Sequence, residues 1–244
     1  MVGFVGRATE LRELAHQLDV VRTGGRADAG VAVLLRGRRR VGKSRLVTEL
    51  IEREGVPSVY FQAARHAPPG DELAAFAEAV ARSDLPGAAV AEENRPTSFT
   101  AALRLLAAAL PAETPAIVVV DELPWLLEGI QGGAGELQRV WDRELSRRPV
   151  LLLLLGSDLA MMEALGRPDQ PFHGRATEML LRALSPRDVA RMTGLTGAHA
   201  FDAFLVTGGQ PLVARTSGRR VRSSSPGRGS STASCPPRRT PGWC

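Results

Sequence analysis

The sequence predicts an α/β domain of three layers, with helices on both faces of a parallel sheet. Short apolar runs alternate along the chain with stretches of helical periodicity. The runs are continuous rather than alternating, as expected of strands covered above and below. The first run leads directly into a glycine-punctuated loop and then a helix, the opening of a βαβ unit.

Leu11, Leu14, Leu18 and Val21 recur at helical spacing, so residues 7–22 are read as an amphipathic helix ended by Gly24-Gly25. Val31 to Leu35 is the first strand, residues 43–54 a helix, and Ser58 to Phe61 the second strand. Leu73, Phe76, Ala77 and Val80 mark the next helix. Phe99, Leu103, Leu106 and Leu110 mark another, which Pro111 terminates. Ala116 to Val120 is the third strand, and Leu137, Val140, Trp141 and Leu145 give a helix before the fourth at 150–155. Residues 176–182 form a weaker fifth, and no internal repeat is visible.

The chain has 244 residues and a formal net charge of +5, which points toward nucleic acid or a membrane surface until the charge is located. Residues 1–214 hold 24 Lys+Arg against 26 acids, a net of −2, whereas 215–244 hold seven Arg and no acid. The excess therefore belongs to the last thirty residues. Of the 31 basic residues one is a lysine, Lys43. Both cysteines, Cys235 and Cys244, also lie in that last segment. The preceding part thus has no thiol-based metal site or disulfide, which fits a cytoplasmic protein. No N-terminal basic-then-apolar leader is visible, and no apolar run approaches the ~18–20 residues that span a bilayer, so no membrane partner is expected.

Gly37-Arg38-Arg39-Arg40-Val41-Gly42-Lys43-Ser44 matches G-x-x-x-x-G-K-[ST] between a strand and a helix, the context that gives the motif meaning. Gly37 and Gly42 are expected to permit the backbone conformations that turn successive N–H groups inward as an anion nest. The helix beginning near Lys43 aims its positive end at phosphate. Lys43 would reach the β- and γ-phosphates of a nucleotide, and the Ser44 hydroxyl would ligate Mg²⁺. The binding segment is taken through Arg45. The Arg38-Arg39-Arg40 run has two readings, a further phosphate contact or a solvated basic loop.

Ala116-Ile117-Val118-Val119-Val120-Asp121-Glu122 is a buried strand ending in two carboxylates, the Walker B pattern. Asp121 would serve the Mg²⁺ water shell, and Glu122 would polarise the attacking water as general base. The adjacent Glu argues for an ATPase of the additional-strand class, in which another strand lies between the two motif strands. A GTPase is disfavoured, because the single lysine leaves none for an N-K-x-D motif. The fourth strand runs into Gly156-Ser157-Asp158, where Ser157 is read as a γ-phosphate sensor and, alternatively, as a helix cap. Arg175 stands before the fifth strand as an arginine finger or a surface ion pair. The four histidines show no metal spacing.

Taken together, these residues resemble the AAA+/STAND-type P-loop ATPases and, within them, the archaeal-type ATPase family also found in bacteria. Phe4-Val5-Gly6-Arg7-Ala8-Thr9-Glu10-Leu11 resembles that family's F-x-G-R-x-x-E-L motif. The resemblance implies that Val5 and Gly6 lie by the adenine. Asp121-Glu122-Leu123-Pro124-Trp125-Leu126, Trp141-Asp142, Gly156-Ser157 and Phe172-His173-Gly174-Arg175 match in order. Gly208-Gly209-Gln210-Pro211 is similar to the G-x-P motif of the helical lid, which implies that Pro211 packs on the base.

The resemblance covers residues 4–214. It implies a nucleotide-binding domain over 1–183 and the start of a lid over 184–214. From 215 onward, 22 of 30 residues are Arg, Ser, Gly or Pro, a composition expected to be disordered. It is read either as a basic arm for nucleic acid or, preferentially, as out-of-frame translation of a GC-rich gene. The expected function is ATP binding with Mg-dependent hydrolysis used as a conformational switch. A scaffold that no longer hydrolyses and a DNA-associated ATPase are the rivals. The protein partner is left open, as is whether Arg175 acts within one chain or across a homo-oligomer.

Overall fold

The computed structural model describes residues 4–24 and 30–211. The segment 215–244, and residues 212–214 of the expected lid, lie outside the described residues. The chain runs α1 (Ala8–Thr23), β1 (Val31–Arg36), α2 (Lys43–Glu54), β2 (Ser58–Gln62), α3 (Pro69–Ala81), α4 (Val90–Glu93) and α5 (Phe99–Ala109). It continues through β3 (Ala116–Asp121), α6 (Leu123–Glu128), α7 (Gly133–Arg143), β4 (Val150–Gly156), α8 (Leu159–Gly166), β5 (Ala176–Leu180), α9 (Pro186–Thr193) and α10 (Gly197–Thr207). None of the described helices is long and apolar enough to cross a membrane.

The five strands form one sheet in the order β2-β3-β4-β1-β5, and every neighbouring pair is parallel. The fourth strand thus lies between the strand that feeds the glycine loop and the strand that ends in the two acids. This is the inserted strand that the Asp-Glu pair predicted. It carries seven buried residues, Val150–Gly156.

Strand side chains alternate between faces, so the apolar runs feed two cores. Val31, Val33, Leu35, Ile117, Val119, Leu151, Leu153 and Leu155 pack with α1 and α2. Ala32, Leu34, Val118, Val120, Leu152 and Leu154 pack on the other face against α3, α5 and α7. Beyond the sheet, α9 and α10 pack on each other around Leu184 and Val189, with Met192, Ala203 and Phe204 beside them. Ser185 caps α9 by accepting from the Asp188 N–H at 3.2 Å.

Three helices escape the periodic pattern. α4 and α6 have four and six residues, too short to show a period. The sequence of α8, LAMMEALG, is apolar almost throughout and gives no contrast between faces. The helix expected to include Leu145 ends at Arg143, where Glu144 takes φ −131° and ψ −57°, and Leu145–Arg147 forms a 3₁₀ turn.

Leu153 is fully buried at the centre of the middle strand. Leu153→Ala should lower the unfolding free energy by about 2–5 kcal/mol in urea titrations.

Candidate active site

Because β1, β4 and β3 are neighbours and parallel, their carboxyl ends stand side by side, where open α/β sheets place their ligands. A cavity of about 660 Å³ opens there. Five non-glycine residues among those described adopt left-handed backbone, and three of them line this cavity: Arg7 (φ 64°), Arg40 (φ 65°) and Glu122 (φ 56°). Such backbone costs about 1–3 kcal/mol per residue and concentrates at functional sites.

The loop from Gly37 to Gly42 folds back over the end of β1. Gly42 has φ +99° and starts α2, whose first residue is Lys43. Gly37 departs from expectation: it does not have positive φ, and Arg40 takes the left-handed position instead. What excludes a side chain at Gly37 is proximity, since a Cβ there would stand 2.7 Å from the Leu181 carbonyl oxygen. Lys43 is 6% exposed, and its Nζ donates to the Gly37 carbonyl at 2.8 Å. Burial pushes the ammonium's pKa down, the charges of Glu122 and Asp121 pull it up, and Arg39 pushes it down again.

The two acids divide their contacts. On Oδ2, Asp121 accepts from the Ser44 hydroxyl at 2.6 Å and from the Tyr60 hydroxyl at 2.5 Å. On Oδ1 it accepts from the Glu122 N–H at 3.0 Å. Burial, then the bond to Asp121, raises the Tyr60 pKa well above the usual phenol range, so Tyr60 stays a donor. The Ser44–Asp121 pair is an all-oxygen donor set with one carboxylate, which fits Mg²⁺, an ion that takes few protein ligands and keeps waters and phosphate oxygens. Glu122 is buried and lines the cavity; its Oε2 accepts from both the N–H (3.0 Å) and the hydroxyl (2.8 Å) of Ser157. The capping of α8 falls to Asp158, which accepts from the Met161 N–H, so Ser157 is available to Glu122.

The N-terminal motif and the segment carrying α9 and α10 close the remaining sides. Phe4, Val5 and Arg7 line the cavity, as do Leu184, Met192 and Pro211. Gly6 turns between them with φ +75°, and a Cβ there would meet Asp188 of α9 at 3.0 Å. Arg7 is buried and donates to the carbonyls of Val41 at 3.0 Å and Arg182 at 2.6 Å, tying the glycine loop to the segment between β5 and α9. Gly209 (φ +68°) would place a Cβ 2.4 Å from the Leu184 carbonyl, and its own carbonyl accepts from the Leu184 N–H at 2.8 Å. That bond seats Pro211 over the loop, its Cγ 3.6 Å from where a Cβ on Gly42 would be.

The arginines separate. Arg39, Arg40 and Arg45 line the cavity and Arg38 does not. The Arg39 guanidinium lies 5.4 Å from the ring of Trp125, and the backbone N–H of Trp125 donates to the Glu122 carbonyl. Arg45 lies 5.8 Å from the Phe4 ring. Arg175 is not among the cavity residues: it grips Asp142 in a two-pronged ion pair, Nε–Oδ1 at 2.7 Å and Nη2–Oδ2 at 3.0 Å, which raises its pKa. Its placement is that of the ion-pair alternative weighed from the sequence.

The sequence reading did not assign Phe4, Leu184 or Met192 of the cavity wall to the site, nor two residues that hold it together, Arg7 and Tyr60. Arg7 stands inside the N-terminal motif, but only the fold shows its side chain reaching residues 34 and 175 positions away. Tyr60, the chain's single tyrosine, looked like an ordinary strand residue.

A glycine loop capped by a buried lysine, facing an Asp-Glu pair across one inserted strand, defines a phosphate-loop ATPase of the additional-strand class. A model of the AAA ATPase domain matches residues 3–153, and the chain belongs to that family of ATP-binding domains. No curated protein matches the chain.

Three solved structures share the fold. The ORC1 protein of Aeropyrum pernix, solved in complex with DNA, is 19% identical with a TM-score of 0.60, covering 93% of this chain and 63% of its own. The Walker-type ATPase PABY2304 of Pyrococcus abyssi is 18% identical with a TM-score of 0.60, covering 91% and 69%. The RuvB Holliday junction branch migration motor of Thermotoga maritima is 14% identical with a TM-score of 0.54, covering 90% and 63%. The chain thus spans about two thirds of the length of these structures.

Replacing Arg7 by Met keeps the volume and removes both carbonyl contacts. It should lower stability by about 1.5–3 kcal/mol and weaken ATP binding, read from thermal melts with and without nucleotide.

Proposed function

We propose that the protein binds ATP with Mg²⁺ and hydrolyses it, the turnover serving as a switch of lid position. The observation that carries this reading is the Glu122 carboxylate, buried at the cavity wall and held by both donors of Ser157. In it, Lys43 and the N–H groups of the loop hold the β- and γ-phosphates. Ser44 and Asp121 hold Mg²⁺, which when bound neutralises charge on the phosphate oxygens. Glu122 takes a proton from the water that attacks the γ-phosphorus, the bond to the bridging oxygen breaks, and ADP and phosphate leave. Ser157, bonded to Glu122, couples the base to the end of β4, which suits a sensor of the γ-phosphate.

The division into a nucleotide-binding domain over 1–183 and a lid from 184 belongs to the same reading. It is supported by the separate small core of α9 and α10 and by the ties from Arg7 and Gly209, which would carry a loop movement to the lid. Val5 and Pro211 suit contacts to the base, since both line the cavity. The narrower STAND-type and archaeal-type assignment rests on the ordered motifs. Arg175 acts as a finger only when its fork to Asp142 opens, within the chain or across a subunit interface. DNA association takes its support from the DNA complex of ORC1 and the RuvB motor together with the arginines of 215–244, against a net −2 over residues 1–214.

Steady-state ATPase assays test the reading. Glu122→Gln should keep ATP binding and lower turnover about 10²–10⁴-fold. Lys43→Ala should lose binding, and retained affinity would overturn the site. Equal, negligible turnover in wild type and Glu122→Gln would favour the non-hydrolysing scaffold. Ser157→Ala should lower turnover with less effect on ATP affinity, seen as a fall in kcat at nearly constant KM.

A further inference from the structure

The switch reading uses Ser44 and Asp121 and leaves one member of their hydrogen-bonded cluster without a role. Tyr60 sits in mid-β2, opposite Val119 of β3. Its neighbours Val59 and Phe61 point into the core under α3 and α5, whereas Tyr60 packs on the other face, with Val119 and α2. By the same alternation Asp121, two residues beyond Val119, lies on that face too. Tyr60 and Asp121 are therefore diagonal neighbours on adjacent strands, within reach of an aromatic side chain. The phenol bridges that gap to Asp121 Oδ2, the oxygen that Ser44 also contacts.

We infer that Tyr60 is the positioning residue of the metal-binding carboxylate, holding Asp121 from the adjacent strand while the Ser44 oxygen is shared with the divalent cation. The inference rests on the proposed placement of Mg²⁺ at Ser44 and Asp121. A hydroxyl that ligates the cation does so through an oxygen lone pair and keeps its proton for Asp121. Asp121 then has three donors, the Glu122 N–H on Oδ1 and the Ser44 and Tyr60 hydroxyls on Oδ2. The Glu122 N–H comes from the next residue and the Ser44 oxygen is shared with the cation; Tyr60 holds Oδ2 from an adjacent strand, and so restrains rotation about the Cβ–Cγ bond independently of the glycine loop. Groups that orient a metal's ligands in this way typically contribute 10–100-fold to metal affinity. Phenylalanine at 60 would fill the same space against Val119 and α2 and lack only the donor.

The test uses the full chain. Mg²⁺ is titrated calorimetrically into protein saturated with a non-hydrolysable ATP analogue, for wild type, Tyr60→Phe, Ser44→Ala and Asp121→Asn. Affinity for the analogue is measured separately in EDTA. Tyr60→Phe should weaken Mg²⁺ binding about 10–100-fold and leave metal-free analogue affinity unchanged. Because Tyr60 is the chain's single tyrosine, 3-fluorotyrosine labelling of the wild type gives one ¹⁹F resonance for the described fold. That resonance should shift when Mg²⁺ is added to the analogue-loaded protein. Weakened Mg²⁺ binding in Ser44→Ala and Asp121→Asn with none in Tyr60→Phe would overturn the role of Tyr60 alone. Unchanged Mg²⁺ binding in all three variants would overturn the metal site itself. Should Tyr60→Phe fail to fold, a ¹⁹F resonance that does not move with Mg²⁺ still refutes the inference.

Discussion

The hydrogen bond from Ser44 to Asp121, 2.6 Å long, joins the two halves of the site. It exists only because β4 separates β1 from β3 by one strand, so that the helix after β1 can lean across to the end of β3. The parallel register then fixes height: Arg36 pairs with Gly156, and Leu154 with Val120, so the glycine loop, Ser157 and the acid pair emerge at one level. Reversing or reordering one strand would separate the lysine and hydroxyl from the carboxylates that serve them. The fully buried run in β4 is therefore a functional spacer as well as a core.

Around that contact the chain accepts backbone strain in order to aim side chains. Glu122 ends β3 in left-handed backbone, with its N–H satisfied by Asp121, and this turns its carboxylate to Ser157. Arg7 does the same at the start of α1, reaching both the loop and the approach to the lid. Arg40 does it within the loop. At Arg7 and Glu122 the conformation is held by contacts on more than one side, whereas Arg40 is exposed at the cavity. The arginines also show why composition alone misleads. Arg175 is bound to an acid, and Arg39 rests on Trp125, so neither is simply a free positive charge.

Much of the fold was legible because its signals are local. Continuous apolar runs marked the first four strands, β5 with its Thr177 and Glu178 gave a weaker signal, and Leu11, Leu14, Leu18 and Val21 marked α1 by period alone. The glycine loop was legible by pattern, since the backbone conformations and the phosphate chemistry need particular residue types at fixed spacing. α8 was not, because a helix apolar on nearly every side carries no phase. Tyr60 was not, because its role depends on the face and register of a neighbouring strand. The reason given for Gly37 was local and incomplete: what restricts it is the Leu181 carbonyl, far along the chain.

The sequence by itself determined the three-layer α/β class, the glycine-loop motif at Gly37–Ser44 between strand and helix, and the acid pair on a buried strand. These follow from periodicity and spacing, which neighbouring residues carry. Tertiary structure decided that Ser157 bonds Glu122 while Asp158 caps α8, and that Arg7 links the glycine loop to the segment before α9. It also decided that Arg175 is paired with Asp142 and that Asp121 has a second hydroxyl donor. Each of these depends on which side chains meet across strands and layers. Distances of 2.5–3.0 Å between residues 33 to 175 positions apart are set by packing and register, which no local pattern encodes.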